Sequence, residues 1–460
     1  MTPTRNHLFP RYHVRMPYGY MNDPNGPVLH RGRYHLFFQY RTDPTGERPV
    51  SWGHVSSVDL AVWTYHRPAI SPLPWSAETD GVWSGNVIEH NDELVAFYSA
   101  FDDTRPYQSI MMARSVDGGE SFGNPTRVID DPGPTDHVEQ FRDPFVWREG
   151  NAWKLAVGAG LAGNRASVRL YESDDLVSWT QHPPLATLER ADIRGFDTGA
   201  VWECPQVLTF GSGEVILVSA YSTDSGIGEV LTLPGRSSPD GLEAINLLDH
   251  GTNLYAAAVM RSSTWGPLVW GWITEGRDPA WAAADGWSGA ISLPRMVELR
   301  AGNRLACHPI PALEVLRCAP LPLERRDDAR LSVNVPAAFE LRIEIAAGHT
   351  DPIELELRAS TTERLNIRIL PQEGSIDIDR SIGSEDLRAH TTGLAFTDPT
   401  MGAGGRVSIF VDGSILEIFS PDGYVATTRF YPVTPPPWTM SISGLNTSDI
   451  ACWPLKDGRP

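Results

Sequence analysis

A repeat of about 60 residues constrains this chain more than any other feature. Met21-Asn22-Asp23-Pro24-Asn25-Gly26 sets a carboxylate between turn-forming pairs, directly ahead of the apolar run Pro27-Val28-Leu29. The arrangement returns at Arg142-Asp143, ahead of Pro144-Phe145-Val146-Trp147, and at Trp202-Glu203-Cys204-Pro205, ahead of Gln206-Val207-Leu208. Asp23 and Asp143 are 120 residues apart, Asp143 and Glu203 are 60 apart, and Trp83 of Trp83-Ser84-Gly85 stands midway between the aspartates. Each motif leads into strand, turn, strand, rich in β-branched and aromatic residues, and a fifth copy starts at Asn253-Leu254-Tyr255. A second series keeps the same beat. Ser57-Val58-Asp59-Leu60, Ser115-Val116-Asp117 and Ser173-Asp174-Asp175-Leu176 have serines 58 apart and lead to Trp63, Phe122 and Trp179. These read as the turn and anchor of an outer strand.

Several short strands recurring at such a period mean propeller blades, here five. The innermost strands of a propeller run the same way along a central channel. Motifs at their starts therefore ring one mouth, which is how residues far apart in sequence meet. A β-sandwich in this half would leave the shared phase unexplained. The propeller is expected to span residues 1–317, ending near the short helix-like run Ala312-Leu313-Glu314-Val315-Leu316, with a Pro- and charge-rich linker at 318–328. Residues 329–460 change to plain alternation, as in Ile353-Glu354-Leu355-Glu356-Leu357 and Leu365-Asn366-Ile367-Arg368-Ile369. An Asp412-Gly413 turn joins Val407-Ser408-Ile409-Phe410-Val411 to Ile415-Leu416-Glu417-Ile418-Phe419, a strong hairpin signal. This half reads as an antiparallel sandwich with one face buried and one solvated. The fold expected is all-β: a five-bladed β-propeller followed by a C-terminal antiparallel β-sandwich.

At 460 residues the chain can bury two cores. A formal charge of -19 argues against nucleic acid or an anionic membrane surface as a partner, and against a polyanionic substrate unless a local basic pocket offsets it. The 15 tryptophans mostly serve core layers, and any left flat and exposed suit sugar rings. Cys204, Cys307, Cys318 and Cys452 form neither a zinc spacing nor a disulfide framework. The N-terminus Met1-Thr2-Pro3-Thr4-Arg5-Asn6-His7 lacks an apolar signal core, and no run is long enough to cross a bilayer, so a cytoplasmic protein is expected. With no His pair at helical spacing and no Cys/His cluster, neither a metal nor another cofactor is expected.

Taken singly, Asn22 to Gly26 is a turn, Arg142-Asp143 an ion pair and Cys204 a small buried thiol. The common phase makes them one site. Three carboxylates around one mouth hold each other's pKa values apart, and two carboxyl groups with separated pKa values are what glycoside hydrolysis needs. Asp23 lies among Asn22, Asn25 and turn amides, donors that favour the ionised form. Glu203, between Trp202 and Cys204-Pro205, is expected in a drier setting that favours the protonated form.

Asn22-Asp23-Pro24-Asn25-Gly26, Trp52-Gly53-His54, Trp83-Ser84-Gly85, Arg142-Asp143-Pro144 and Glu203-Cys204-Pro205 together resemble glycoside hydrolase family 32, the family of invertases, levanases, inulinases and related fructosyl transferases. Gly271-Trp272, Gly289-Ala290-Ile291-Ser292-Leu293-Pro294-Arg295 and Phe410-Val411-Asp412 through Glu417-Ile418-Phe419 extend the resemblance over nearly the whole chain. The family's propeller and sandwich agree with the reading above. The resemblance implies a retaining enzyme that cleaves terminal β-fructofuranosyl units from sucrose or fructans through a fructosyl-enzyme intermediate. It implies Asp23 as nucleophile, Glu203 as acid/base and Asp143 as transition-state stabiliser. Asn22, Gln39, Trp52, Trp83, Ser84, Arg142, Asn253 and Trp272 are implied as substrate-binding, with a small or oligomeric fructoside as the partner. Three positions depart from the family pattern: Tyr20 where Trp is usual, Trp83 where Phe is frequent, and Asn253 where Asp is frequent, near the leaving-group side. A fructosyltransferase on the same scaffold is the alternative. A five-bladed arabinosidase or xylosidase, and a non-catalytic sugar-binding homologue, stand further off.

Overall fold

The computed structural model describes residues 7–459, apart from 74–77, 105–106, 131, 133–136, 212, 236–243 and 327–329. The N-terminal stretch Met1 to Asn6, the turn residue Ser212 and the linker's end at 327–328 lie outside the described residues.

Residues 19–309 build five antiparallel blades around one axis. Their innermost strands are Gly19–His30, Gly81–His90, Val138–Glu149, Val201–Phe210 and Leu254–Met260. Each hairpins outward to a second strand: Arg33–Arg41, Glu93–Phe101, Ala152–Leu161, Gly213–Ser222 and Leu268–Ile273. These strands are nearly continuous runs of buried residues because neighbouring blades cover both faces. Trp287–Ser288, from blade 5, pairs in parallel with Gly19 and Tyr20 and ties the last blade to the first. Gly158 permits close approach of blades 3 and 4, since a Cβ there would stand 2.1 Å from the Trp202 carbonyl oxygen.

The repeat has a second layer of meaning at the blade junctions. Asn25 Oδ1 accepts the Gly85 N–H of blade 2, at 3.1 Å. Asn86 bonds the backbone of Val146 in blade 3 in both directions, at 2.9 Å. Gln206 Oε1 accepts the Val259 N–H of blade 5, at 3.1 Å. Side-chain amides in one phase thus satisfy backbone groups that the inner strands' register breaks leave free. The serine series pins outer turns: Ser57, Ser115 and Ser173 hydroxyls donate to Asp59, Asp117 and Asp175 at 3.0, 2.7 and 3.0 Å.

The C-terminal half is a sandwich of a seven-stranded and a five-stranded sheet. Ile353–Arg358 in the larger sheet alternates buried and more exposed residues, as a one-sided strand should. The smaller sheet departs from that expectation. Ile415–Phe419 and Val425–Arg429 are buried at every residue, because their second face lies on the propeller. Polar residues there meet buried charges. Glu417 bonds Arg295 at 2.7 Å and His13 at 2.9 Å, Arg295 also holds Asp249 at 2.8 Å, and His13 bonds Asp412 at 2.9 Å. The expected linker is bound: Cys318 and Leu321 N–H groups donate to Pro454 and Cys452 carbonyls, and Glu324–Arg325 joins the seven-stranded sheet.

Candidate active site

Each innermost strand breaks register where it enters the mouth, between Met21 and Pro24, Val82 and Gly85, opposite Ala156 to Gly158, between Glu203 and Gln206, and between Tyr255 and Ala258. A bulge re-aims side chains that regular pleating would send into the blades. Asp143, Cys204 and Ala256 occupy the left-handed region with φ of 64°, 47° and 49°, a strain of about 1 kcal/mol or more each that surrounding packing must hold. The single phase read from the sequence resolves into two adjacent rings. Asp23, Ser84, Asp143, Cys204 and Ala256 line the floor. Asn22, Trp83, Arg142, Glu203 and Tyr255, one residue earlier, stand around it.

Asp23 accepts from Ser84 Oγ at 2.6 Å, Gln39 Nε2 at 3.1 Å and Asn22 Nδ2 at 3.1 Å. Gln39 also bonds Ser84 and Asn22. Cys204 bridges two acids, its Sγ 3.7 Å from Asp23 and 3.6 Å from Asp143, while its N–H donates to Asp143 at 3.0 Å. Arg142 Nε and Nη2 both reach Glu203 Oε1 at 2.8 Å, and Arg142 also bonds Gln140. The Tyr255 hydroxyl lies 2.5 Å from Glu203 Oε2 and 3.1 Å from the Ala220 carbonyl oxygen.

The electrostatics correct the expected division between the two acids. The donors around Asp23 are in place, but burial outweighs them, and with the charge of Glu203 it pushes the Asp23 carboxyl above its ordinary range. Glu203 lies in an ion pair with Arg142, its side chain 18% exposed, in place of the drier setting expected. Burial, then the charge of Glu203, raise Asp143 to about 7 against the pull of Arg142. The charge of Glu203 thus raises both aspartates.

That strain predicts a measurable stability effect. A carboxyl raised in the fold binds its proton more tightly than in the unfolded chain. Its favourable contribution is complete below the unfolded value near 3.8 and is lost as pH rises toward 7. Asp143→Asn, which cannot ionise, is therefore expected to gain about 1–3 kcal/mol over the native chain at pH 8. The gain should shrink at pH 4, as urea titrations at the two pH values would show. Equal or lower stability of the variant at pH 8 would mean that the carboxylate is not strained.

The remaining predicted residues divide. Trp83 is half-exposed at the rim, stacked on Phe101 with centroids 4.2 Å apart. Trp272 is partly exposed, 6.3 Å from the Tyr20 ring, and its indole N–H has no partner among the described residues. Asn22 Oδ1 is likewise buried and unpaired among the described residues. Two predicted ligands are corrected. Trp52 is 0% exposed, and its indole N–H donates to the Trp83 carbonyl at 3.0 Å, so it supports Trp83 from the core. Asn253 is turned to the sandwich. It bonds Thr252, Thr428 and Thr274, and its N–H donates to the Thr427 carbonyl. Tyr255 was missed as a site residue because its motif follows Glu203 by 52 residues rather than 60. The Asn253-Leu254-Tyr255 start of the fifth copy was the signal that could have found it.

The Glycosyl hydrolases family 32 N-terminal domain matches residues 13–309, and the corresponding C-terminal domain matches 324–448. A sucrose-6-phosphate hydrolase of Escherichia coli is 27% identical over 455 residues, covering 93% of this chain and 90% of that one. A raffinose invertase of Escherichia coli is 28% identical, with 93% and 90% covered. Among solved structures, a sucrose-6-phosphate hydrolase from Lactobacillus gasseri superposes with a TM-score of 0.81 at 24% identity, over 99% of this chain and 95% of that one. A Bombyx mori β-fructofuranosidase in complex with sucrose gives 0.80 at 23% identity, over 99% and 95%. These likenesses establish a shared fold.

Proposed function

This chain belongs to glycoside hydrolase family 32, and on that premise we propose that it is a retaining β-fructofuranosidase in which Asp23 and Glu203 divide the chemistry. The observation that carries the reading is the convergence of Asp23, Asp143 and Glu203, from blades 1, 3 and 4, on one mouth. In the first step Asp23 attacks the anomeric carbon of a terminal fructosyl unit while Glu203 protonates the departing oxygen. In the second Glu203 takes a proton from water, and that water displaces Asp23 with overall retention. Ser84, Gln39 and Asn22 hold Asp23 in line and stabilise its charge as it leaves. Asp143, with Arg142 beside it, binds the fructose hydroxyls. The unpaired Asn22 Oδ1 and Trp272 Nε1 are groups that a sugar's hydroxyls would satisfy. Trp83 offers its face as a wall.

The test is product analysis on sucrose and fructans with and without an acceptor sugar. Free fructose, first released in the β-configuration, is the expected product. Dominant transfer to acceptor would make the chain a fructosyltransferase, and no release from any fructoside would end the reading.

Tyr255 belongs to the acid/base machinery on this reading. Its single proton faces two acceptors, so it can donate to ionised Glu203, or turn to Ala220 and accept from protonated Glu203. Tyr255→Phe should lower kcat about tenfold, roughly 1.4 kcal/mol of barrier, and shift the alkaline limb of the pH–rate profile. An unaltered profile would remove Tyr255 from this role.

We also propose a catalytic unit ending at 317, since the first family match stops at 309, and a sandwich that begins near 324 rather than at the expected 329, since the second match starts there and Glu324–Arg325 already pairs in the seven-stranded sheet. Described helices include none long and apolar enough to cross a membrane. We propose a cytoplasmic location, with which four cysteines outside any disulfide among the described residues are compatible.

A further inference from the structure

Arg41 ends the second strand of blade 1 at the mouth, directly opposite Tyr20 on the innermost strand and three residues' distance along it from Asp23. Its guanidinium carbon lies 5.5 Å from the Tyr20 ring centroid. The Tyr20 ring in turn lies 6.3 Å from Trp272 of blade 5. Arg41 is half-buried, yet its guanidinium makes no ion pair or hydrogen bond to any described residue. Asp43 and Asp23, the carboxylates close enough to act on its charge, are both committed. Asp43 accepts the Thr45 hydroxyl and the N–H groups of Glu47 and Arg48 at 2.5, 3.1 and 2.9 Å. Asp23 is held by Ser84, Gln39 and Asn22. The ring face fixes the guanidinium but leaves its N–H donors free.

Such a group is matched to a bidentate oxyanion. Its position says where that anion sits. The groups that bond Asp23 come from blades 1, 2 and 4, namely Asn22, Gln39, Ser84 and Cys204. Arg41 instead stacks toward blade 5 through Tyr20 and Trp272, and the Trp272 ring lies 6.4 Å from that of Tyr255, which bonds Glu203, the acid of the leaving-group side on this reading. With a formal charge of -19 the chain repels anions at long range, so a phosphorylated substrate needs a fixed local cation. Tyr20, which stands where the family usually has Trp, is the surface that holds it.

We propose that Arg41, braced on Tyr20, is a specificity-determining residue that binds a phosphate ester on the leaving-group side of the scissile bond. The assignment rests on the β-fructofuranosidase reading and narrows its substrate to phosphorylated sucrose.

The experiment compares kcat/KM for sucrose 6-phosphate and for sucrose in the native enzyme, Arg41→Gln and Arg41→Lys. The native ratio is expected to favour the phosphorylated sugar at least tenfold, about 1.4 kcal/mol, within the range of a charge-assisted bond. Arg41→Gln should lower that ratio at least tenfold, chiefly through KM. Arg41→Lys, charged but without the planar fork, should fall between. Inorganic phosphate at millimolar concentration should inhibit the native enzyme competitively and Arg41→Gln far less. A native ratio near one, or a ratio that Arg41→Gln leaves unchanged, overturns the assignment. If neither sugar is cleaved, the hydrolase reading fails separately. Calorimetric binding of sucrose 6-phosphate then decides the matter, with equal binding by native chain and Arg41→Gln counting against the role.

Discussion

Glu203→Ala is expected to slow turnover of sucrose by about a thousandfold or more, the scale of losing a general acid and base together. A fructoside with an activated leaving group needs no proton to depart, so its first step should be largely spared. Azide, small enough for the space vacated beside Arg142 and Tyr255, should restore turnover and give a fructosyl azide of retained configuration. Asp23→Ala should abolish turnover of both substrates, and any azide product should be inverted, since azide then attacks the substrate directly. The opposite pattern would reverse the two roles. If neither variant lost more than about tenfold, roughly 1.4 kcal/mol, these would not be the catalytic pair. Arg142 sharpens the expectation for Glu203→Ala. With its carboxylate partner gone, the guanidinium at the mouth becomes an anion site, which favours azide entry.

The second large effect concerns the domain junction. Arg295→Met should destabilise the chain by about 3–5 kcal/mol, because it strands Glu417 and Asp249 as buried charges without their cation. Burial opposes the Glu417 charge, yet Arg295, the His13 bond and the Leu293 N–H hold its carboxyl down at about 2. A carboxyl lowered in the fold contributes stability above its unfolded value, near 4.5, and loses it as pH falls toward 2. In the native chain stability should therefore decline below pH 4.5, and the variant should show a weaker decline over the same interval. Urea unfolding at pH 7 and pH 3 measures both. A loss under 1 kcal/mol at pH 7 would mean that water, rather than the sandwich, solvates these charges. The same network predicts that a fragment ending near residue 328 is insoluble or far less stable, since it exposes Arg295, Asp249 and Glu275 without their sandwich partners Glu417, Thr427, Arg429 and Tyr431. The sandwich supplies these contacts, and no group of it touches the three acids among the described residues.

Glu203 illustrates where one-dimensional reading ended. Trp202 and Cys204-Pro205 are its chain neighbours and are apolar or weakly polar. Its partners are Arg142 and Tyr255, 61 and 52 residues away, and they make its setting polar. Trp52 failed for the opposite reason. Its motif neighbours the site in sequence, while strand alternation turns its side chain into the core behind Trp83. Asn253 is implied as substrate-binding by the family resemblance, yet the sandwich claims its hydrogen bonds.

The sequence by itself determined the number of blades, the change of architecture after the linker, and which three carboxylates share a mouth. It could do so because a propeller writes its geometry along the chain: one blade per repeat, with equivalent side chains at equivalent phase. Tertiary structure alone decided the burial and supports of those carboxylates, the two-faced burial of the smaller sheet and the pairing of Arg41 with Tyr20. Each is a balance between desolvation and partners brought from distant parts of the chain, from 21 residues away for Arg41 to 404 for His13 and Glu417. Such a balance is a sum over neighbours in space, and no periodicity along the sequence encodes it.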